Sequence, residues 1–327
     1  MDHVRWGILS TADIGIRKVI PAIQRADACE VVAIASRDAD RAAAAAAQLG
    51  IATSHGSYEA LLADDDVDAI YLPLPNDLHA TWTSRALAAG KHVLCEKPLA
   101  LSAVQAEAMA TAAADAGRKL GEAFMYRHHP TWVEAVRLVR DGEIGDLQAV
   151  QSWFSYFNDD PGNIRNRAEN GGGAMMDIGC YNVHLSRLLF AAEPTDIHAV
   201  VRRDPELGID TLSSAALTFP GGGQASFTCS TRAEPDQRVH IVGTRGRIDI
   251  EIPFNIPPDR ETRITVTAGG DPPVAPDTEV HTFAPADAYA LQATAFARAI
   301  LDGTPTPAPI EDAIANMRVI DTILGAA

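Results

Sequence analysis

The sequence predicts an α/β domain built on a parallel sheet, followed by an α+β domain with a large, mainly antiparallel sheet. Three observations carry that expectation. Apolar strand runs alternate with helical stretches over residues 1–123, the rhythm of a parallel sheet with helices on both faces. A turn of mostly small residues, Ser10-Thr11-Ala12-Asp13-Ile14-Gly15, follows the first strand directly. Beyond Phe124 the rhythm gives way to β runs joined by short Gly/Pro turns, which favours antiparallel pairing. The division expected is 1–123 and 124–327, with two closing helices returning to the domain junction.

In the first domain the strands are expected over 5–9, 29–36, 69–72, 92–96 and 118–123. Helices are expected over 14–25, 39–49, 58–63, 77–89 and 103–116. The alanine run 42–47 reads as helix, since alanine is the best helix former. The Ser10–Gly15 turn occupies the positions of a G-x-G-x-x-G phosphate loop, with serine and alanine in place of the first two glycines. Small residues there still let the backbone approach a pyrophosphate at a helix N-terminus, which makes this a Rossmann dinucleotide-binding domain.

The end of the second strand bears on which dinucleotide. An NAD-binding chain commonly carries an acidic residue there for the ribose 2′-hydroxyl. This chain has Ala35-Ser36-Arg37, with Arg41 one helical turn on, a set suited to a 2′-phosphate and hence to NADP(H) over NAD(H). The alternative is a solvated helix start in which Asp38 and Asp40 partner the arginines. After the third strand, Pro73 and Pro75 stop the chain at the sheet's carboxyl end. Asn76 then either caps the next helix or lies against the nicotinamide half, and His79 either packs in the first turn or touches the cofactor.

The run Gly90-Lys91-His92-Val93-Leu94-Cys95-Glu96-Lys97-Pro98 puts Lys97 at the carboxyl end of an apolar strand, where open α/β sheets bind ligands. The following proline holds Lys97 extended and raises the chance of a cis peptide.

In the second domain a helix over 130–141 precedes β runs at 148–157, 197–203, 211–219, 224–231, 237–243, 247–252 and 263–267. The stretches 253–258 and 269–276 read as surface loops, and the closing helices as 289–301 and 310–324. One segment interrupts the strands: Gly171, Gly172 and Gly173 lead into a helix running to about Phe190. On it Asp177, Tyr181 and His184 share one face at helical spacing, while Ile178, Leu185 and Leu189 form an apolar face. Gly179 inside that helix marks a close approach. The two helices of this domain cover one face of the sheet and leave the other open. Strands such as 215–219 and 225–228 carry apolar residues toward both sides, so pairing with a second copy is expected, as a homodimer or a tetramer.

The 327 residues, 47% hydrophobic and 21% charged, fit an ordinary globular protein of two domains. A net charge of −16 argues against nucleic acid or an anionic membrane surface as a partner. The first strand starts at once, which leaves no room for a signal peptide, and the cytoplasm is the expected location. Cys29, Cys95, Cys180 and Cys229 are far apart and lack metal-ligand spacing, and no metal is expected.

Together the Gly7–Gly15 turn, Pro75-Asn76-Asp77-Leu78-His79, Gly90–Pro98, Met125-Tyr126-Arg127-His128-His129-Pro130, Gly171–Tyr181 and Glu311–Asn316 resemble the glucose-fructose oxidoreductase / inositol dehydrogenase (Gfo/Idh/MocA) family. The resemblance covers essentially the whole chain. It implies a Rossmann domain, an open-faced C-terminal sheet that often mediates oligomerisation, and hydride transfer on sugars or related alcohols. Tyr181 stands where many members have histidine, which is similar to the branch of glucose-fructose oxidoreductase, dimeric dihydrodiol dehydrogenase and NADP-dependent xylose dehydrogenase. By that resemblance Lys97 and Tyr181 are the catalytic pair, and Asp177 orients the substrate or the tyrosine. The implied cofactor set is Gly7, Ser10, Thr11, Ala12, Asp13, Ile14, Ser36, Arg37, Arg41, Leu74, Asn76, His79, Glu96 and Lys97. The implied substrate set is Arg127, Arg165, Asp177 and His184.

The chemistry is coherent on its own terms. An ammonium near a phenol favours the phenolate, bringing an ordinary tyrosine pKa of about 10 toward neutrality. Dihydrodiol dehydrogenases tend to carry tryptophan at the position of Met125, so a sugar suits this chain better than an aromatic diol. Arg165 serves a sugar hydroxyl, a cofactor phosphate or an ordinary loop salt bridge. The strand aromatics Trp153, Phe154, Tyr156 and Phe157 read mostly as core or interface, with one or two stacking on sugar. The expected activity is NADP-dependent oxidation of an aldose at C1 to a lactone. Reduction of a nucleotide-linked deoxysugar ketone and trans-dihydrodiol oxidation are the alternatives. A non-catalytic dinucleotide sensor is the reading of another class.

Overall fold

The computed structural model describes residues 2–269 and 277–325, and the loop expected over 269–276 lies outside the described residues from position 270 onward. The chain divides into two compact units: Met1–Met125 with Tyr289–Met317, and Tyr126–Ala288 with Arg318–Ala327. The first unit therefore includes residues 289–317 from the far end of the chain.

The first unit holds a six-stranded sheet in the order β3-β2-β1-β4-β5-β6, with every neighbour parallel. Its strands are β1 (Val4–Leu9), β2 (Cys29–Ala35), β3 (Thr53–His55), β4 (Ala69–Leu72), β5 (His92–Cys95) and β6 (Leu120–Glu122). β3 is a short strand beyond those the sequence predicted. It has two exposed residues and one half-buried, so it carries no apolar run to read.

The helices here start on caps visible in the sequence. Asp38 caps α2 (Ala39–Leu49), its carboxylate accepting the N–H groups of Asp40 and Arg41. Ser57 caps α3 (Tyr58–Leu62), and Ser102 caps α5 (Ala103–Ala116). α1 (Ile20–Arg25) and α4 (Asn76–Ala88) complete the order up to β6. The C-terminal segment packs on the same core, with the Phe296 and Trp6 ring centroids 5.8 Å apart and both side chains buried. Gly121 permits this: a Cβ there would stand 2.9 Å from the Phe296 ring. Burying each such ring contributes roughly 1.5–3 kcal/mol.

The second unit holds an eight-stranded sheet in the order β14-β13-β12-β11-β7-β10-β9-β8. The strands are β7 (Leu147–Phe157), β8 (Asp196–Arg203), β9 (Asp210–Thr218), β10 (Gln224–Ser230), β11 (Arg232–Gly243), β12 (Gly246–Ile250), β13 (Thr262–Ala268) and β14 (Thr278–Phe283). β10 runs parallel to β7 and the other pairs are antiparallel. β14, an edge strand with mostly exposed residues, was not anticipated.

Helix α6 (Pro130–Arg140) packs on β13. A π-type turn over Met175–Gly179 continues into α7 (Cys180–Phe190), and the two lie on β7 and β10. That side of the sheet buries Val150, Phe154, Ala215, Leu217, Ala225 and Phe227. The opposite side carries Gln151, Ser214, Ala216, Ser226 and Thr228, with Val200 exposed at 74%. The expectation of apolar residues on both sides is thereby corrected for β9 and β10. Strand alternation sends the large apolar side chains of β9 and β10 under the helices, while the outer face elsewhere carries Trp153, Phe157 and Val200.

Candidate active site

In the first unit, the turn after β1 has Ser10 at φ +149°, with Ser10 Oγ accepting the Ala12 N–H at 3.0 Å. Thr11, Ala12 and Ile14 are half-buried and Asp13 is exposed, pairing with Arg17 at 2.8 Å. Gly7 serves packing: a Cβ there would come within 2.9 Å of Val67.

Ser36 is buried at the end of β2, and Arg37 and Arg41 are exposed beside it. The Asp38 carboxylate is engaged in the α2 cap, and among the described residues neither arginine makes an ion pair with a carboxylate. Both guanidiniums act on Tyr58 instead. Burial raises the Tyr58 pKa, while the charge and hydrogen bond of Arg37 and the charge of Arg41 oppose the rise. Two cations beside a buried serine fit a phosphate on a ribose.

Lys97 follows β5 and is half-buried, and its bond to Pro98 is cis. The surrounding turn is tied down from three sides. Tyr71 donates to Glu96 Oε1 at 2.7 Å, and Glu122 Oε1 accepts the Leu99 N–H at 2.7 Å. The wholly buried His79 has Nδ1 2.9 Å from the Pro98 carbonyl and Nε2 2.8 Å from the Leu74 carbonyl. Its ring links the buried Leu74 turn to the lysine turn, and burial holds its pKa below the usual value. Both ring nitrogens of His79 thus lie against backbone carbonyls. Asn76 is the first residue of α4, which has Pro75 at its cap.

In the second unit the π-type turn inserts a residue into the spacing that a 3.6 period assumes. Asp177 sits over Tyr156, while Tyr181 and His184 both pack on Tyr126. Asp177 Oδ2 accepts from Tyr156 Oη at 2.5 Å, and Oδ1 accepts from Arg165 Nε at 3.1 Å. Of the alternatives for Arg165, the structure shows the ion pair. Burial and the Asp177 charge push the Tyr156 pKa up, so it stays a donor.

Tyr181 is buried in an aromatic box, with ring centroids 5.2 Å from Phe254, 5.6 Å from Phe154 and 5.7 Å from Tyr126. Phe254 in turn stacks on Phe154. These rings pack on Tyr181 itself. His184 is also buried, with Nδ1 2.5 Å from Tyr126 Oη and Nε2 3.4 Å from Arg127 Nη1. A guanidinium only donates, so Nε2 is the acceptor and Nδ1–H of the neutral ring donates to Tyr126. His184 and Arg127 thus meet each other and support the wall of the box.

Gly179 has a packing reason, since a Cβ would lie 2.6 Å from Met175 Sδ and 2.8 Å from Cys229 Sγ. Sequence reasoning missed Asp210, which is 2% exposed on β9 and accepts the Met175 N–H at 2.8 Å. Burial raises its pKa, against hydrogen bonds from Ser213 and the Met175 N–H. It also passed over Phe254, which lies in a stretch that reads as loop. Neither residue has a local signal, because each meets the helix only through the tertiary fold. Among the described residues no group of His, Cys, Asp and Glu could hold a metal ion.

Two family models match the chain. One is an oxidoreductase family with an NAD-binding Rossmann fold, over residues 4–124, and the other is the GFO/IDH/MocA C-terminal domain, over residues 132–249. An uncharacterised oxidoreductase of Rhizobium meliloti is 47% identical, covering 99% of this chain and 96% of its own. The D-xylose 1-dehydrogenase (NADP(+)) 2 of Haloferax volcanii is 41% identical over 97% of this chain and 95% of its own. The crystal structure of a 3-ketoreductase from Actinomadura kijaniata, in complex with NADP and TDP-benzene, aligns with a TM-score of 0.90. It is 33% identical, covering 99% of this chain and 98% of that one.

Proposed function

This chain belongs to the GFO/IDH/MocA oxidoreductase family, and we propose that it oxidises an aldose at C1 to the lactone with NADP⁺. The observation that carries the substrate is the 41% identity, along nearly the whole chain, to a protein named D-xylose 1-dehydrogenase (NADP(+)). The cofactor choice is supported by Arg37 and Arg41 flanking the buried Ser36, with no carboxylate paired to either among the described residues.

The Ser10–Ile14 turn would hold the pyrophosphate, Ser36 with the two arginines the 2′-phosphate, and Leu74, Asn76, Glu96 and Lys97 the nicotinamide side. When bound, the nicotinamide supplies the hydride acceptor. Tyr181 takes the proton of the C1 hydroxyl as the C1–H bond is lost, leaving the lactone carbonyl. Lys97 supplies the positive charge that favours the phenolate. Asp177, which accepts from Tyr156 and Arg165, orients the substrate or the tyrosine. Phe154, Phe254 and Tyr126 keep water from the Tyr181 ring.

Reduction of a nucleotide-linked keto-deoxysugar is the second reading, favoured by the 33% identity and TM-score of 0.90 to the Actinomadura kijaniata ketoreductase. In that direction Tyr181 returns the proton. Met125, buried rather than offering a face, speaks against an aromatic diol. We further propose a homodimer or tetramer formed through the outer face of the eight-stranded sheet, supported by Phe157, exposed at 60%, and Val200, exposed at 74%, on that face, and a cytoplasmic location. The deciding experiment is a panel of aldoses, dihydrodiols and nucleotide-linked keto-sugars, each with NADP and NAD. Turnover of a pentose or hexose with NADP⁺ alone is expected. Turnover confined to keto-sugars would overturn the lactone reading.

A further inference from the structure

The three consecutive glycines before the Asp177 helix are not accounted for by the proposed chemistry. The geometry of the last two explains their place. Gly173 has φ +120°, and a Cβ on it would lie 2.1 Å from Asp210 Oδ1. A Cβ on Gly172 would lie 2.5 Å from the Arg165 carbonyl oxygen. The glycines thus clear a space at the start of the helix, and the Asp210 carboxylate fills part of it. Asp210 Oδ2 accepts the Met175 N–H at 2.8 Å and the Ser213 hydroxyl at 2.8 Å. The Asp210–Met175 bond joins residues 35 apart in the chain.

We propose that Asp210 is a positioning residue for catalysis, pinning the first turn of the helix so that Asp177 and Tyr181 are presented in register. The proposal rests on the reading of Tyr181 as the acid/base. Burying a carboxylate without partners is costly, so its retention at 2% exposure calls for a return in fixed geometry. Met175 opens the π-type turn that ends at Gly179, so its N–H sets where that wide turn begins. A helix slipping there would carry Asp177 away from Tyr156 and Arg165 and draw Tyr181 from its aromatic box. Farther along, the turn is fixed by Gly179 against Cys229 and by Asn182 Nδ2 donating to the Thr228 carbonyl at 3.4 Å. Asp210 holds the Met175 end of this arrangement, and it comes from β9, so it links the helix to the sheet beneath.

The test compares Asp210→Asn with Asp210→Ser. Asparagine keeps an acceptor at the Oδ2 position, and serine is too short to reach the Met175 N–H. Asp210→Asn is expected to keep kcat within about threefold of wild type. Asp210→Ser is expected to lower kcat roughly tenfold or more, leave the NADP⁺ dissociation constant within about twofold, and speed amide exchange over residues 174–181. A wild-type kcat in Asp210→Ser, or an Asp210→Asn variant as damaged as the serine one, would overturn the proposal. Should the serine variant not fold, Gly173→Ala drives a methyl onto the same carboxylate and must give the same split between kcat and cofactor binding. The exchange readout is independent of turnover, so a failure of the Tyr181 assignment would show in Tyr181→Phe kinetics and leave the exchange result standing.

Discussion

Helices in the two units are started by different means. In the first unit Asp38, Ser57 and Ser102 each cap the helix that follows them, with the side chain two or three residues from the N–H it accepts. In the second unit α6 is capped by a histidine, His129, and the helix bearing Asp177 by Asp210 from another strand. A local cap can be moved with its helix. A distant one ties the helix to a sheet, and the residues on it inherit that position. The cofactor-side residues of the first unit accordingly sit on turns and exposed helix starts. Asp177, Tyr181 and His184 instead sit in side-chain networks of Tyr156, Arg165, Tyr126, Phe154 and Phe254.

The contrast predicts that changes around Asp177 and Tyr181 act on kcat and changes at the Ser36–Arg41 end of the first unit on cofactor affinity. The largest effect should come from Tyr181→Phe, which removes the hydroxyl and keeps the ring in its box. kcat should fall by roughly 10²–10⁴, the range for a lost general acid/base, with NADP⁺ affinity nearly unchanged. Steady-state kinetics with the best substrate decide it, and a loss of only a few-fold would place the proton transfer elsewhere.

Arg37→Ala should act in the opposite sense, weakening NADP⁺ by about 1.5–3 kcal/mol, the scale of a hydrogen bond to a charged group. NAD⁺ binding should hardly change, because the arginine is exposed and makes no ion pair with a carboxylate among the described residues. Calorimetric titration of both cofactors separates the outcomes, and equal weakening of the two would remove the 2′-phosphate assignment. Tyr156→Phe is the counterpart in the second unit. It deletes the donor to Asp177 Oδ2 and should lower kcat/KM for substrate by roughly 10–10²-fold, again on the scale of one charged hydrogen bond. A change in NADP⁺ affinity of similar size would mean that the two units do not divide the work in this way.

The same difference explains what could be read from the chain. The parallel sheet, α2 and α5 were legible because alternation, caps and helix periodicity are local. Lys97 and the Asp177–Tyr181 segment were legible through motif and resemblance. Edge strands β3 and β14 were not, since neither carries a buried apolar run. The partners of Asp177 and Tyr181 were hidden for another reason. Tyr156 reads as one of several strand aromatics, and Phe254 and Asp210 reach the helix only after the sheet has formed. The close approach that Gly179 marks is real, and it is packing against Met175 and Cys229.

The smallest expected effect concerns the His129 cap. His129 Nδ1 accepts the Thr131 N–H at 3.2 Å, and the side chain is fully buried. Protonated Nδ1 cannot accept, so the cap exists only on a neutral ring. Burial pushes the His129 pKa down to about 4, from the usual value near 6.5. The folded state therefore binds fewer protons than the unfolded state between these values. The stability this contributes is fully present above about pH 6.5 and is lost as pH falls toward 4. At about pH 5.5 the loss should be about 1.4 kcal/mol, one pKa unit's worth. His79, His92 and His128 are depressed in the same direction, so wild-type unfolding alone does not isolate the cap. His129→Asn keeps a side-chain acceptor that does not titrate. Its melting temperature should fall less than that of the wild type between about pH 7 and pH 5.5. The serine caps of the first unit do not titrate, so replacing Ser102 should lower the melting curve equally at both pH values. Parallel pH dependences for wild type and His129→Asn would show that the histidine cap does not titrate as its geometry requires.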